Sequence, residues 1–460
     1  MKNTIKLFSI IALVAVIGFG VIALSLAGCD NANGNTTTPT PNPSPNPNPN
    51  PTHTHTLSKT TAVAATCSAA GNPDYWTCAE CGKYFSDENG TTELTAAQIV
   101  IAQLPHTFTQ WSGDTATFDK AGVETETCSV CGATGTNTQP TSAWGTAGLY
   151  GKALASITRT DEPIDISSET GANDVEKAIA YAKANAAADK FFLLAIDDDY
   201  NVGTQTLNAA DMNLTIIGIG AERSLQYNGL ADSRMFNIDN GTSLTLENNI
   251  TLKGHTNATS WLIFVAYSGI LTMKEGSKIT DHTTNSNVGA VYVQIGALLQ
   301  MEGGEISGNS TSDTRGNASG GVFFSGGIIT MSGGKITGNT APSARPSDVY
   351  CMADAQFSLS GTAEIGYITL GAAPFDDASI MLGSTYTPAN KSTINLYSEA
   401  ATLAITIVRW VNKAVLKKDS GSITAADVAK FNLGHFIGTD NVQSIDQDHE
   451  INATGVLVAK

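Results

Sequence analysis

Between Leu244 and Ile365 the chain repeats with a step of 27 to 30 residues. The phrases Leu244-Thr245-Leu246, Leu271-Thr272-Met273, Leu299-Gln300-Met301, Ile329-Thr330-Met331 and Phe357-Ser358-Leu359 align. After each comes a polar or glycine turn and one more apolar residue: Ile250, Ile279, Ile306, Ile336 and Ile365. Apolar and polar residues alternate with period two, which marks short strands with one inward face. Glycine pairs such as Gly303-Gly304 and Gly333-Gly334 suit sharp corners, because glycine accepts positive φ. No unit holds a helical stripe or is long enough for a strand-helix pair. Each unit is therefore predicted to be one coil of a stacked solenoid, its strands pairing in parallel with their copies one rung away. Asn309 and Asn339 fall at equivalent corners, where stacked amides can bond along the stack or tolerate left-handed backbone.

The Gly-Gly-x-Ile-x-x-Asn phrase follows a Gly-Val-Phe/Tyr strand. Together they resemble the right-handed parallel β-helices of pectate-lyase-like architecture, including polymorphic outer-membrane and adhesin-like surface proteins. The resemblance covers roughly residues 191 to 370 and implies a mostly β fold. It is poor for function, since such solenoids carry lyases, hydrolases and non-catalytic adhesins alike.

The body is expected to run from 141 to 387. A capping helix is expected at about 174–186, because Asn173 and Glu176 form a capping-box pattern before Val175, Ala178, Ile179 and Ala182 at helical spacing. Residues 388–460 read as last rungs and a β-rich cap. There Thr424 and Asp427 form a second capping-box pattern.

The N-terminus has Lys2 and Lys6, an apolar run from Ile10 to Leu26, then Leu26-Ala27-Gly28-Cys29. A basic start, an apolar core and small residues before a cut make an export signal. The ending is similar to the bacterial lipoprotein box, which implies cleavage of residues 1–28, a lipid on Cys29 and attachment to a membrane. An uncleaved membrane helix is the alternative. An extracytoplasmic location is expected, with the outer membrane or cell surface favoured over the inner membrane. In 29–52, alternating prolines from Pro39 to Pro51 hold an extended stalk. Fourteen such residues reach about 40 Å at about 3.1 Å each. Loss of residues 1–28 takes the net charge from −17 to −19, because Lys2 and Lys6 leave and no acid does. That balance argues against a nucleic-acid partner.

Residues 53–104 and 105–140 are two copies of one segment. The first runs His55, Cys67 and Cys78-Ala79-Glu80-Cys81-Gly82. The second runs His106, Phe118 and Cys128-Ser129-Val130-Cys131-Gly132. Cys-x-x-Cys-Gly makes a knuckle that aims two sulfurs at one metal. His55, Cys67, Cys78 and Cys81 are thus expected to hold a structural Zn2+, with His53 as a substitute for His55 and disulfides as the competing chemistry. The segment resembles small zinc-ribbon-like Cys/His repeats in tandem on stalks of bacterial surface proteins. In the second copy Phe118 takes the place of Cys67, leaving His106, Cys128 and Cys131. A weak site helped by Asp114 or Asp119, a Cys128–Cys131 disulfide and a metal-free module all stay open.

Asp197-Asp198-Asp199 is the acidic triplet, expected to be a solvated turn or a loose Ca2+ site. The insertions at 254–260, 282–288, 309–319 and 339–348 follow one corner, so they should form one edge. Arg315 and Arg345 lie six residues after Asn309 and Asn339, making these four the candidate binding edge. No catalytic signature stands out. The expected function is non-catalytic adhesion or ligand binding, with a carbohydrate or a host or matrix surface as partner. The alternative is a β-helix polysaccharide lyase or glycoside hydrolase, which carboxylates converging in one groove, alone or with Arg223 or Arg234, would favour.

Overall fold

The computed structural model describes residues 54–287, 289–314, 318–341, 348–352, 356–372, 379–398, 414–437, 443–445 and 449–460. They form two compact units, one of residues up to 65 together with 70–102, the other of Thr66–Ala69 with Gln103–Lys460.

The larger unit is built on a parallel β-solenoid. Each turn of chain contributes a strand to each of three sheets, as in Ser243–Leu246, Ile250–Lys253 and Ile263–Val265. The first sheet has seven strands, from Tyr200–Val202 to Glu364–Ile365. The second holds Gln205–Leu207, Phe236–Ile238, Ile263–Val265 and their successors; the third runs from Gly148–Tyr150 through Phe191–Ile196 to Leu416–Lys418. The register follows the repeat: Leu244, Leu271, Leu299, Ile329 and Phe357 are successive rung partners. All five are buried in one core that spans the solenoid. Burying one such side chain is worth about 1.5–3 kcal/mol, and the ladder multiplies that gain along the axis.

The first sheet departs from the expected alignment by two residues at one rung. Leu252, not Ile250, is the partner of Ile279, and Ile250 pairs with Ser277. A two-residue shift keeps parity, so Ile250 and Leu252 both point inward and both are buried. Beyond it Ile279, Ile306, Ile336 and Ile365 stack without a break. Glycine at the corners answers to close rung packing as well as to φ. Gly334 has φ +77°, and a Cβ there would come within 2.3 Å of the Gly303 carbonyl oxygen.

Both ends are closed. Helix Asp174–Ala184 starts at Asn173, whose side chain accepts from the Glu176 amide. Glu176 itself accepts from Ala172 N and Gly203 N, a variation on the capping box that ties the helix to the first turn. Val175, Ala178, Ile179 and Ala182 pack into the core with Phe192 and Leu194. The helix ends two residues earlier than expected, because the Asn185 side chain bonds back to the Tyr181 carbonyl. Strand Gly148–Tyr150 pairs antiparallel with Phe191–Ile196, and Gln443–Ile445 does so with Phe431–Ile437. Antiparallel strands at both extremes stop further rungs from adding. Near the C-terminus Thr424 and Asp427 form a full capping box on Ala425–Val428, and His449–Ile451 with Leu457–Ala459 forms a hairpin.

The smaller unit is a four-stranded antiparallel sheet of Leu57–Thr60, Tyr75–Cys78, Tyr84–Phe85 and Glu93–Leu94. Phe85 is buried and its ring lies 4.5 Å from that of His55. In the larger unit a related three-stranded sheet, Phe108–Ser112, Gly122–Cys128 and Thr134–Thr141, precedes the solenoid.

Candidate metal centres and solenoid faces

Each Cys-x-x-Cys-Gly segment folds into the same knuckle. Gly82 N donates to Cys78 O and Gly132 N to Cys128 O, both at 2.9 Å. Both glycines have positive φ, +69° and +72°, with open space where a Cβ would stand, so conformation alone requires glycine there. The turn closes two thiols on one point and places a histidine beside them. Cys81 Sγ is 3.6 Å from His55 Nδ1, and Cys131 Sγ is 3.3 Å from His106 Nδ1.

The third cysteine is where the structure corrects the expected ligand set. Cys67 does not join His55, Cys78 and Cys81. Its turn, Thr66–Ala69, belongs to the larger unit, and its sulfur lies 3.7 Å from Cys128 Sγ. Cys67, His106, Cys128 and Cys131 bring their ligand atoms within 4.8 Å of one another, and His55, Cys78 and Cys81 form a second such group. Spacing within one copy could not show this, because the ligand crosses from one copy to the next. Asp114 and Asp119 are not ligands. Asp114 accepts from Thr141 and Arg159, and Asp119 from Asn248 and Thr117.

No disulfide joins the described cysteines. A separation of 3.7 Å is far beyond the S–S bond of about 2.05 Å. It matches the edge of a tetrahedron with metal–sulfur bonds of about 2.3 Å, which is about 3.8 Å. Three sulfurs and one nitrogen, with Cys67 and Cys128 buried, fit a closed metal site. The electrostatics agree. Amide N–H groups of Cys131 and Val130 point at the Cys128 sulfur and pull its thiol down to about 5, while the neighbouring Cys131 thiol, burial and Cys128 push Cys67 up to about 12. One thiolate forms readily and the next is resisted by the charge of the first. A cation at the centre removes that resistance.

Phe118, standing in the second copy where Cys67 stands in the first, has a different task. It is buried against Tyr150, Leu193, Ala195, Ile217 and Ile219 on the solenoid, edge-on to Trp144 at 5.3 Å. Asn248 donates to Asp119 at 2.8 Å beside it. In both copies this position reaches forward, to the next copy through sulfur or to the solenoid through an apolar ring.

On the solenoid, Asn309 and Asn339 stack as the repeat predicts: Asn309 Nδ2 donates to Asn339 Oδ1 at 2.9 Å. The ladder continues from His282 N to Asn309 Oδ1 and from Asn339 to Asp348 Oδ1. Both asparagines are 1% exposed, so they are internal scaffolding and not part of a binding edge. Their amides also satisfy the carbonyls of Ile279 and Ile306. Asp348 ends the row, accepting from the Asn339 and Tyr367 amides; burial outweighs these donors and raises its carboxyl to about 6. Burial also holds the His282 imidazole down at about 4, with Nε2 against the Ser260 carbonyl. The insertions do stack, as the Thr283–Thr284 pairing with Ser310–Thr311 shows. Arg315 and Arg345 lie outside the described residues, as do Cys29 and His53.

The outer face of the first sheet lines a cleft of about 640 Å³. Its rung row reads Lys278, Glu305, Lys335, Glu364. Lys278 meets Glu305 at 3.9 Å and Lys335 meets Glu364 at 2.9 Å. Lys335 holds the Glu364 carboxyl below its ordinary value, opposite to what a general acid needs. Asp197, Asp198 and Asp199 are exposed, and Asp199 accepts from the Ser224 amide at 2.7 Å. Among the described residues the triplet is not one of the groups whose ligand atoms converge. Among the described residues neither arginine weighed for catalysis forms an ion pair, although Arg223 shares a cleft with Asp197 and its charge acts on Asp199. Arg223 donates to the Ile219 carbonyl, and Arg234 lies on aromatic rings.

No protein-family model, no curated protein and no solved structure matches this chain.

The feature that sequence reasoning passed over is the outer face of the second sheet. Phe264, Tyr292, Phe323 and Tyr350 are successive rung partners there. The signal was present, since each is the second residue of a short strand whose neighbours are inward Ile, Val, Phe or Cys. Outward aromatics at that position are easily taken as further core.

Proposed function

We propose that this chain is a lipid-anchored, extracytoplasmic surface protein whose β-helix is a non-catalytic display surface for adhesion or ligand binding, with carbohydrate as the favoured ligand class. Lipidation is assigned to Cys29 by the Leu26-Ala27-Gly28-Cys29 segment, and the proline-rich stretch after it serves as a stalk. The architecture is taken as the right-handed, pectate-lyase-like type, in its adhesin-like form. The metal of Cys67, His106, Cys128 and Cys131 is taken as Zn2+, for which three thiolates and one imidazole are a common closed set. Its role is to stiffen a segment too small to hold itself by apolar burial.

The observation that carries the non-catalytic reading is the pairing along the cleft. Along the rung row lysine and glutamate alternate and engage each other in place of a poised acid and base, while Glu222 and Glu275 leave the cleft net acidic. Binding surfaces need no such poise. The stacked insertions add a polar edge, and adhesion commonly uses loops held on a rigid scaffold.

The test is retention of the full chain, reconstituted in vesicles through its lipid, on immobilised neutral and acidic polysaccharides and on matrix-coated surfaces. Retention on at least one surface is expected, and Cys29→Ser should abolish vesicle attachment. A chain that binds none of them, or that partitions into vesicles equally well as Cys29→Ser, contradicts the proposal.

A further inference from the structure

The aromatic row of the second sheet has the makings of a specific site. Ring centroids are 5.3 Å apart from Phe264 to Tyr292, 5.4 Å from Tyr292 to Phe323 and 5.1 Å from Phe323 to Tyr350. Phe323 and Tyr350 are buried, whereas Phe264 and Tyr292 stay half-exposed. Trp261 directly follows the first insertion and lies against both, at 5.2 and 4.8 Å. Phe264 and Tyr292 stack on one another, so the stretch presents the part-exposed surface of Tyr292 and Trp261 beside the stacked loops.

Arg234 makes the patch selective. Its guanidinium sits 5.0 Å over Trp261 and 5.2 Å over Phe264, half-buried. Among the described residues it has no hydrogen bond and no ion pair, although the chain carries 42 acids against 25 lysines and arginines. The rings fix the guanidinium plane and leave its edge N–H groups for a planar anion. Burial lowers its pKa, the mark of a cation deprived of water and of a counter-charge. Two further polar atoms at the patch are shielded and unpartnered: Trp261 Nε1 and Asn237 Oδ1, the latter on the rung partner of Phe264.

We infer that this face binds a saccharide bearing a carboxylate. The apolar face of a sugar ring packs against the part-exposed Tyr292 and Trp261 rings, and the carboxylate pairs with Arg234. A simple carboxylate would lack the platform, and a neutral sugar would lack the ion pair. The inference rests on the proposed binding role of the solenoid and names its ligand class and residues. It is independent of Arg315 and Arg345.

The experiment is calorimetric titration of the full chain in detergent with matched pairs: 3′-sialyllactose against lactose, and a hyaluronan hexasaccharide against its carboxyl-reduced form. At least one carboxylated member should bind about tenfold more tightly than its neutral partner. Arg234→Gln should erase that preference and Arg234→Lys should restore only part of it. Tyr292→Ala should weaken the carboxylated and neutral members alike. These side chains face outward, so circular dichroism should be unchanged, and a variant that loses its spectrum is replaced by Tyr292→Leu. No binding by either pair, or a preference that survives Arg234→Gln, overturns the inference. Saccharide binding that neither substitution alters overturns it too, while leaving the wider display role standing; cleavage of a saccharide overturns the display role itself.

Discussion

Replacing Cys67 by serine separates the ligand set expected from the sequence, Cys67 with His55, Cys78 and Cys81, from the one the structure brings together. In the structure its sulfur belongs with His106, Cys128 and Cys131. A structural Zn2+ site contributes on the order of 10–16 kcal/mol through four ligands, or about 3 kcal/mol per ligand, so losing one thiolate should weaken binding by about 10²-fold. The serine hydroxyl is a poor substitute, because it stays protonated in a buried site. The assay is competition with a chromophoric chelator in two backgrounds. With Cys78 and Cys81 both changed to serine, Cys67→Ser should lower the remaining affinity by that factor. With Cys128 and Cys131 both changed, it should alter nothing. Cobalt substitution gives an independent reading, since thiolate-to-metal absorption at the second site should fall by about a third. The reverse pattern, in which Cys67→Ser weakens the site of His55, Cys78 and Cys81, would refute the assignment.

Other consequences can be checked by unfolding. Phe118→Ala should cost about 3–5 kcal/mol at its docking point and make residues 103–145 the first to be cut in limited proteolysis. Asn309→Ala should leave the Ile279 carbonyl without its side-chain donor and break the bond to Asn339, costing about 1–3 kcal/mol in urea titration, whereas replacing an exposed asparagine should cost little. Asp348 has its folded pKa raised to about 6 from 3.8, so the folded state holds the proton more tightly. Its contribution therefore favours folding at low pH and is lost as pH rises from about 3.8 to about 6, on the order of 3 kcal/mol. Asp348→Asn should remove that slope from denaturation midpoints. His282 works oppositely: with its pKa lowered to about 4 from 6.5, stability present above pH 6.5 is lost as pH falls toward 4. In the Asp348→Asn variant the His282 contribution should remain.

The solenoid was legible because its repeat writes the same inward parity at every rung. Leu244 through Phe357 could be placed as partners from spacing alone, and stacking of Asn309 on Asn339 followed from the same register. What the amides were for was not legible. Exposure depends on which side of a corner a side chain takes, and both turned inward to pair with backbone carbonyls. Ile250 was misplaced by two residues because a shift of two preserves parity and leaves no trace in the hydrophobic pattern. The metal ligands were recognisable by type, but Cys67 changes partners between copies, a tertiary choice that repeat alignment hides. Phe118 looked like decay of a ligand and is a docking residue. Arg234 carried no local sign of its surroundings, since Trp261 and Phe264 come from the following turn.

The central claim, that the solenoid binds without catalysing, is tested most directly by following polymer length during binding. The full chain is held with each retained polysaccharide, and bound fraction, reducing ends and ultraviolet absorbance of unsaturated products are measured together over time. The account predicts a stable bound fraction, constant chain length and no new absorbance. Steady shortening of the polymer that stops when Lys335 or Glu364 is replaced would contradict it, by showing that the paired charges of the cleft are working groups.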